Sequence, residues 1–205
     1  MFTGIVTAIG TIAKAQQRGD LRLRIAAPLD PARIDIGASI ACSGVCLTVV
    51  DRGGSAGDAW FDVDVSGETV SRTVGGMWHE GARLNLEPSL RVGDEIGGHI
   101  VTGHVDAVGE VVRAEPVGDS WRFDIRAPKA LAPFIAPKGS ITVQGVSLTV
   151  NELADEADGA CTFMLNIIPH TSEVTTLGGL RTGDQVNLEI DVLARYLKRM
   201  QTLAG

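Results

Sequence analysis

Three reactive side chains follow a glycine closely, two of them in short runs that are similar to each other. Cys46 lies two positions after Gly44, Ser147 lies two positions after Gly145, and His104 directly follows a further glycine. A thiol or hydroxyl can act as a nucleophile, and an imidazole that titrates near neutral pH can carry a proton. Two of them also have a structural interpretation: a buried thiol for Cys46 and a hydrogen-bonded structural ring for His104. Because Cys46 and Ser147 occupy equivalent positions, we favour a chemical site.

A metal site built on these residues is not expected. The combination of Cys42 and Cys46 with His99 or His104 lacks the second clustered pair of ligands that zinc sites have. The glycine pairs of the chain lie outside any G-x-G-x-x-G motif, and no phosphate-binding P-loop occurs. The sequence therefore predicts neither a metal nor a bound dinucleotide.

The stretches that hold these residues belong to an internal repeat. Residues 3–10 match residues 102–109 with five identities in eight positions, and residues 39–49 match 140–150 with seven in eleven. The offset grows steadily, from 99 for Thr3 and Thr102 to 102 for Glu87 and Glu189. Such a drift is what small loop insertions in a tandem duplication produce. We predict two similar domains, residues 1–96 and 97–190, followed by a tail at 191–205.

Four glycines are paired by this repeat. Gly4 corresponds to Gly103, and Gly44 corresponds to Gly145. A glycine has no side chain, so another group can approach the backbone closely. We interpret these positions as places where a flat ligand reaches the main chain.

Short strands are predicted in both halves. Apolar and polar residues alternate in the segments 21–25, 60–65, 121–125 and 161–167. Turn-forming residues cluster at 52–58 and 155–159, and the chain holds 25 glycines, well above the usual share of ~7%. About six strands per half would leave exposed edges unless each sheet closed. The predicted fold class is all-β, with two tandem similar six-stranded antiparallel barrels.

The tail from Asp191 onward has a different pattern. Apolar residues recur there every three or four positions, at Val192, Leu193, Tyr196, Leu197, Met200 and Leu203, with basic residues between them. This spacing predicts an amphipathic helix, which has no counterpart after the first half. The residues alone leave two interpretations open: a helix packed on its own barrels, or a helix through which chains assemble.

Composition excludes several classes of protein. The chain holds 18 Lys and Arg against 25 Asp and Glu, a net charge of −7, so a nucleic-acid partner is not expected. No apolar run approaches the roughly 20 residues that a membrane-spanning helix needs, and the N-terminus lacks the pattern of a secretory signal. The three cysteines, Cys42, Cys46 and Cys161, are odd in number and fit a reducing compartment. We expect a cytoplasmic protein without a membrane segment.

Several runs occur in an order that is characteristic of one family. They are residues 1–6 (MFTGIV), 44–49 (GVCLTV), 97–105 (GGHIVTGHV) and 145–150 (GVSLTV). Over nearly its whole length the chain resembles the riboflavin synthase family of the alpha-chain type. The resemblance implies two six-stranded Greek-key barrels and a C-terminal helix that joins three chains into a homotrimer. It thereby favours the assembly interpretation of the tail.

The resemblance also implies a reaction. Two molecules of 6,7-dimethyl-8-ribityllumazine dismutate: one donates a four-carbon unit to the other, giving riboflavin and 5-amino-6-ribitylamino-pyrimidinedione without any cofactor. A reaction between two copies of one substrate needs two similar pockets held face to face, which explains the duplication, since alignment alone supplies much of the acceleration. The resemblance further suggests association with lumazine synthase.

Site residues are implied by the resemblance at matching positions, with the two pockets meeting between neighbouring subunits. The expected first-half pocket consists of Gly4, Ile5, Val6, Cys46, Leu47, Thr48, Asp64, Val65, Ser66, Gly67, Glu68 and Thr69. The expected second-half pocket consists of Gly103, His104, Val105, Lys138, Ser147, Leu148, Thr149, Asn166, Ile167, Ile168, Pro169, His170 and Thr171. The expected catalytic set is Ser147, Thr149, His104 and Cys46, with Lys138 and Asp191 as polar support.

The chain departs from the family pattern at three positions. Gln144 stands where an acidic residue is common, Ser43 replaces a common Asn, and His170 stands where Glu is frequent. An amide cannot act as a base, so no proton relay is expected through Gln144, and His170 is an alternative.

Two other interpretations account for part of the sequence. A non-catalytic relative that binds lumazine or flavin would share the fold, but such relatives tend to lose the second pocket, whose Lys138, Ser147, Thr149 and His104 are all present here. A barrel module of a flavin reductase would need a nicotinamide domain, which the sequence lacks. The enzyme is therefore the favoured interpretation.

Overall fold

In a computed structural model, which describes residues 1–204, the alternating segments form strands of a closed β-barrel and of a curled β-sheet. We call these the first and the second barrel. The first barrel consists of β1 (Ala8–Arg18), β2 (Asp20–Ala27), β3 (Ser39–Cys42), β4 (Val45–Ser55), β5 (Asp58–Val65) and β6 (Arg83–Pro88), with helix α1 (Gly67–Arg72) between the last two. Its strands are ordered β1-β2-β5-β4-β3-β6 and close on themselves in antiparallel fashion. The predicted six-stranded barrel is confirmed here, and segments 21–25 and 60–65 lie in β2 and β5.

The predicted turn at residues 52–58 is wrong in most of its length. Arg52 through Ser55 continue β4 and pair with β5, so only Ala56 and Gly57 make the turn. The reason is steric: a side chain at Gly53 would lie 2.5 Å from the ring of Trp60 on the facing strand. Gly53 therefore leaves space for the Trp60 ring within the paired strands β4 and β5.

The second half repeats this order with one additional strand. Its strands are β7 (Ala107–Val117), β8 (Ser120–Ala127), β9 (Ser140–Val143), β10 (Val146–Thr149), β11 (Glu152–Asp155), β12 (Cys161–Ile167) and β13 (Gln185–Ile190), with α2 (Pro169–Val174) after β12. They form one curled sheet in the order β10-β9-β13-β7-β8-β12-β11. The segments 121–125 and 161–167 lie in β8 and β12, as predicted.

The additional strand arises because the counterpart of β4 is interrupted. Its two pieces, β10 and β11, are separated by Val150 and Asn151, where the Lys138 N–H donates to the Val150 carbonyl at 2.7 Å and the Asn151 N–H donates to the Met164 carbonyl at 2.9 Å. The ladder of β4 is irregular at the equivalent place, between Val49 and Asp51. A curled sheet of seven strands therefore stands where a closed barrel of six was predicted.

Each barrel is filled by its own apolar core. Phe61, Leu23, Ile25 and Leu86 are fully buried in the first, and Phe123, Phe163, Ile125 and Ile141 in the second. With side chains filling both interiors, a ligand site has to lie at the barrel ends or between barrels.

The halves are joined through a pair of asparagines related by the repeat. Asn85 donates to the Gln144 carbonyl at 2.8 Å and accepts from the Thr176 N–H at 2.7 Å. Asn187 donates to the Ser43 carbonyl at 3.0 Å and accepts from the Val74 N–H at 2.8 Å. Both amides are buried, so their hydrogen bonds across the interface have no competition from water. The contact is therefore close to two-fold symmetric.

The chain ends in helix α3 (Val192–Ala204), which confirms the predicted amphipathic helix; Gly205 lies outside the described residues. The Asp191 carboxylate accepts the Leu193 N–H at 2.9 Å and so caps the helix, and Arg195 donates to Asp106 of the second barrel at 2.7 and 2.9 Å. Among residues 1–204, none of the helices has the length and apolar character needed to cross a membrane.

Candidate active site

The two halves exchange their leading segments. Phe2, ahead of β1, pairs with Val101, ahead of β7, through N–H to carbonyl hydrogen bonds of 2.8 and 3.0 Å. Beyond this bridge Val6 packs on the core of the second barrel, and Val105 packs on the core of the first. We call residues 4–6 the first strip and residues 103–105 the second strip. Each strip lies on the barrel of the opposite half.

The exchange regroups the predicted site residues. The Ser147 N–H donates to the carbonyl of Gly4 at 2.8 Å, and the Cys46 N–H donates to the carbonyl of Gly103 at 2.8 Å. The first strip therefore lies beside β10, and the second strip beside β4. The structure does not bring the residues predicted for each pocket together within one half, because the strips precede the first strand of each half and lie on the opposite barrel.

The repeated glycines serve this close contact. A Cβ on Gly4 would lie 2.6 Å from the Ser147 Cβ, and one on Gly103 would lie 2.6 Å from the Cys46 Cβ. Real Cβ atoms are essentially never found that close to another heavy atom, so only glycine fits. The interpretation of these glycines as openings for a flat ligand is wrong on this side, since the opposite half fills the space.

Gly44 and Gly145 touch each other where the halves meet. A Cβ on Gly145 would lie 2.7 Å from the Gly44 nitrogen, and one on Gly44 would lie 3.0 Å from the Gly145 nitrogen. Both have positive φ angles, +85° and +79°. Here too the glycines permit the contact between halves, and a ligand does not have access to that space.

Ser147 belongs to a polar cluster that the sequence did not predict. His99 Nδ1 lies 2.7 Å from the Ser147 Oγ, and His99 Nε2 lies 3.2 Å from the Thr142 Oγ1. Burial lowers the pKa of His99 below its usual range, and the negative charge of Asp191 partly opposes this. The ring is therefore neutral at neutral pH, and a neutral ring accepts a hydrogen bond from one hydroxyl while it donates to the other.

His99 was missed because it lies outside the repeat. At the offset of 99, its counterpart would precede Met1. The sequence signal that could have indicated His99 is the run Gly97-Gly98-His99, which is one of the runs that carry the family resemblance. A Cβ on Gly98 would lie 2.8 Å from the Ser147 Oγ, so this glycine lets the backbone before His99 pass Ser147.

The equivalent place on the first barrel is apolar. Ala41 stands where the second barrel has Thr142, and Cys46 packs with Phe2 and Val101 instead of with a histidine. Cys46 is partly buried and free of any disulfide. The two sites thus have the same backbone arrangement and different side-chain chemistry.

The predicted catalytic set divides between the two barrels. Ser147 and Thr149 lie on β10, Thr149 with its side chain exposed, whereas Cys46 lies on β4 beside the strip that carries His104. His104 is exposed, and its N–H donates to Glu189 at 3.1 Å. One chain therefore presents two separate sets of reactive groups.

The remaining predicted positions lie at two strand ends. Residues 64–69 and 166–171 finish β5 and β12 and begin α1 and α2. Asp64 is paired with Arg22 at 2.6 Å and Glu68 with Arg72 at 2.8 Å, so these carboxylates already have partners. Ile168 is 52% exposed. Such an exposed branched side chain suits the face of a flat ligand.

Lys138 adopts a conformation that is unusual outside glycine. Its φ is +66°, where the first half has Gly37 at +87°, and its Nζ lies 3.4 Å from the Asn151 Oδ1 at the break between β10 and β11. A non-glycine residue is uncommon in this region, and Ser43 and Gln144, where the halves meet, share it with φ angles of +47° and +50°. The Gln144 side-chain oxygen accepts the Asn187 N–H at 3.4 Å, and its main-chain carbonyl accepts from Asn85 at 2.8 Å.

Two surface cavities lie near the first barrel. One of about 390 Å³ lies between Leu29, Arg33 and Arg91 and includes none of the predicted site residues. Another of about 300 Å³ borders Ile5 and Glu87 at the first strip. The first strip therefore borders a cavity of the single chain.

Comparison with known proteins identifies the class first. Residues 3–89 and 102–191 each match the family described as Lumazine binding domain. The structure superposes on LumP complexed with 6,7-dimethyl-8-(1'-D-ribityl) lumazine with a TM-score of 0.75 and 26% identity, covering 93% of this chain and 99% of that one. It superposes on LumP complexed with riboflavin with the same TM-score and 27% identity, at the same coverage. The chain is thus a tandem lumazine-binding-domain protein.

Full-length relatives narrow the class. The chain is 48% identical to riboflavin synthase of Brucella abortus (strain 2308), with 98% of each chain covered. It is 44% identical to riboflavin synthase of Mycobacterium tuberculosis (strain ATCC 25618 / H37Rv), with all of each chain covered. The chain belongs to the riboflavin synthase family.

Proposed function

We propose that the chain catalyses the dismutation of two 6,7-dimethyl-8-ribityllumazine molecules to riboflavin and 5-amino-6-ribitylamino-pyrimidinedione. The observation that carries this proposal is the pair of crossed sites, equal in backbone and unequal in chemistry, in a member of the riboflavin synthase family. One substrate must lose a proton while the other is attacked, so two identical sites would not be sufficient. The atoms of two lumazines equal those of the two products, so the equation requires no external oxidant.

The site on β10 is assigned to proton removal. The Ser147 hydroxyl takes a proton from the C7 methyl group of one lumazine and passes its own to the His99 Nδ1, 2.7 Å away. Thr142 keeps the ring in this tautomer by accepting from Nε2 at 3.2 Å, and the charge of Asp191 favours the imidazolium that forms. The other lumazine lies in the site of Cys46 and His104, where it is attacked at C7.

The pH dependence follows from the charge near His99. Activity requires the neutral ring, so it is present above the His99 pKa and is lost as pH falls through that pKa. Asp191→Asn removes the charge that raises this pKa but retains a helix-capping side chain. We expect the acidic limb of the profile of log kcat/KM to move to lower pH. A limb that stays in place or moves to higher pH contradicts the assignment of His99 as the base.

A homotrimer through α3 is part of the proposal. The helix leaves Leu193, Tyr196, Leu197, Met200 and Leu203 between 62% and 69% exposed, an apolar stripe with no cover in the single chain. Because the two sites of one chain lie on different barrels, contact between subunits can bring unlike sites together. We further propose a cytoplasmic location, on the basis of three free cysteines, and lumazine synthase remains a predicted partner.

Assembly can be tested on the stripe. Leu197→Glu places a charge in it, so we expect the trimer to dissociate and kcat to fall about tenfold or more, since partially desolvated charges are costly. Arg199→Glu introduces the same side chain at another exposed position of the helix and should leave the trimer intact. Sedimentation velocity gives the mass and a riboflavin assay gives the rate. A Leu197→Glu protein that is still trimeric, or monomeric with full activity, contradicts this part of the proposal.

Turnover distinguishes the enzyme from a binding protein. Purified chain mixed with the lumazine alone should develop riboflavin fluorescence at a rate proportional to protein concentration. Saturable lumazine binding without riboflavin formation would support the non-catalytic alternative and refute the enzyme.

A further inference from the structure

Two buried glutamates accept hydrogen bonds from residues at, and just before, the start of each strip. The Glu87 Oε1 accepts the Thr3 N–H at 2.7 Å and the Thr3 hydroxyl at 2.8 Å, and its Oε2 accepts the Gly4 N–H at 2.9 Å. The Glu189 Oε1 accepts the Thr102 N–H and hydroxyl, both at 2.7 Å. The two carboxylates are 6% and 2% exposed.

Neither carboxylate has a cationic partner. Within residues 1–204 neither Glu87 nor Glu189 forms an ion pair with Lys, Arg or His. Burial raises the pKa of both carboxyls, and the hydrogen bonds from the strips oppose that rise. A buried carboxylate is tolerated only where hydrogen bonds compensate it. In each case the compensating donors come from one strip and from the threonine just before it.

The hydrogen bonds continue through each strip to a reactive residue. Gly4 donates its N–H to Glu87 and accepts the Ser147 N–H on its carbonyl. Gly103 donates its N–H to Glu189 at 2.9 Å and accepts the Cys46 N–H on its carbonyl. The two links are thus related by the repeat.

The link at Glu189 includes a member of the expected catalytic set. Its Oε2 also accepts the N–H of His104 at 3.1 Å. Glu189 therefore fixes the backbone of a reactive residue directly as well as that of the strip.

We infer that Glu87 and Glu189 are positioning residues for the proposed dismutation, each acting on the site of the opposite barrel. Glu87, on β6 of the first barrel, fixes the position of the first strip beside Ser147. Glu189, on β13 of the second barrel, fixes the position of the second strip beside Cys46 and the backbone of His104. This inference rests on the proposed function for its kinetic consequence, but its structural part can be measured independently.

The test compares Glu87→Gln and Glu189→Gln with Glu80→Gln. Glutamine keeps the volume but puts an amide donor where one oxygen faced N–H groups, so the strip must shift. The control, Glu80, accepts a backbone N–H from Ala15 at 3.0 Å on the exposed side of the first barrel. We expect kcat/KM to fall about 10- to 100-fold in both test variants, a range typical of outer-shell positioning residues, and to stay within about threefold in the control.

Backbone-amide chemical shifts, measured by NMR, distinguish a positioning role from a general loss of stability. Glu87→Gln should shift the Ser147 amide and leave the Cys46 amide in place, and Glu189→Gln should do the reverse. If a glutamine variant does not fold, the matching aspartate variant, which keeps the charge but withdraws it by one methylene, is measured for the same crossed shifts.

Two results would overturn the inference. One is a shift confined to the reactive residue of the glutamate's own barrel, and the other is kcat/KM within about threefold of wild type for both variants. If the wild-type protein lacks turnover, the proposed function fails, and the crossed amide shifts still decide whether the glutamates position the strips.

Discussion

Ser147→Ala lowers kcat by about 100-fold or more, the range expected when a positioned acid or base is removed. The substitution keeps the Cβ that contacts the first strip and removes only the hydroxyl that lies 2.7 Å from His99. The proton of the bound lumazine then has no acceptor joined to the imidazole. The free energy of unfolding should change by only about 1 kcal/mol, the typical value of one hydrogen bond.

A double-mutant cycle with His99→Gln tests whether the two side chains act as a unit. If they do, His99→Gln alone costs a similar factor, and the double variant is little slower than either single variant. Ser120→Ala, at the start of β8 in the same barrel, is the control and should retain full activity. Multiplicative losses, or a Ser147→Ala enzyme with at least a third of the wild-type rate, would show that this hydroxyl has no such role.

Gly145→Ala should separate the halves of the chain. The new Cβ would lie 2.7 Å from the Gly44 nitrogen, so the barrels must move apart at the point where both sites are built. Gly57→Ala, in the β4–β5 hairpin, has a similar positive φ of +83° against +79° and no heavy atom within 4 Å of the new Cβ. The pair therefore shares the backbone cost of alanine and differs in the clash.

The difference in stability and activity between these two variants measures the effect of the clash between the halves. Overpacking costs about 1 to 3 kcal/mol, so Gly145→Ala should lose that much more free energy of unfolding than Gly57→Ala in urea denaturation. Its kcat should fall at least about tenfold, since small displacements of reacting groups are costly, whereas Gly57→Ala should keep the wild-type rate. Equal stability and equal activity of the two variants would mean that the glycine contact does not hold the sites in place.

The fold was largely predictable because its signals are local or repeated. Alternation in the segments 60–65 and 161–167 predicted β5 and β12, and the repeat predicted two equal halves. The turn predicted at 52–58 failed because a glycine that faces Trp60 has the same sequence signature as a glycine in a turn.

The arrangement of the site was not predictable in the same way. Whether the first strip lies beside Cys46 or beside Ser147 depends on pairing between segments about 100 residues apart, and periodicity carries no information on such pairing. His99 has no repeat partner, so a comparison of the halves could not single it out. Glu87 and Glu189 are equivalent positions of the repeat, but only their hydrogen bonds to the strips connect them to the site on the opposite barrel.

Mass balance of the reaction tests the central claim most directly. Purified chain is incubated with 6,7-dimethyl-8-ribityllumazine as the sole organic reactant, in the presence of a metal chelator, and substrate and products are quantified by chromatography. The account predicts that two lumazines disappear for each riboflavin formed and that riboflavin and the pyrimidinedione accumulate in equal amounts. Lumazine that stays bound and unchanged, or riboflavin formed without an equal amount of pyrimidinedione, would contradict a dismutation between two unequal sites.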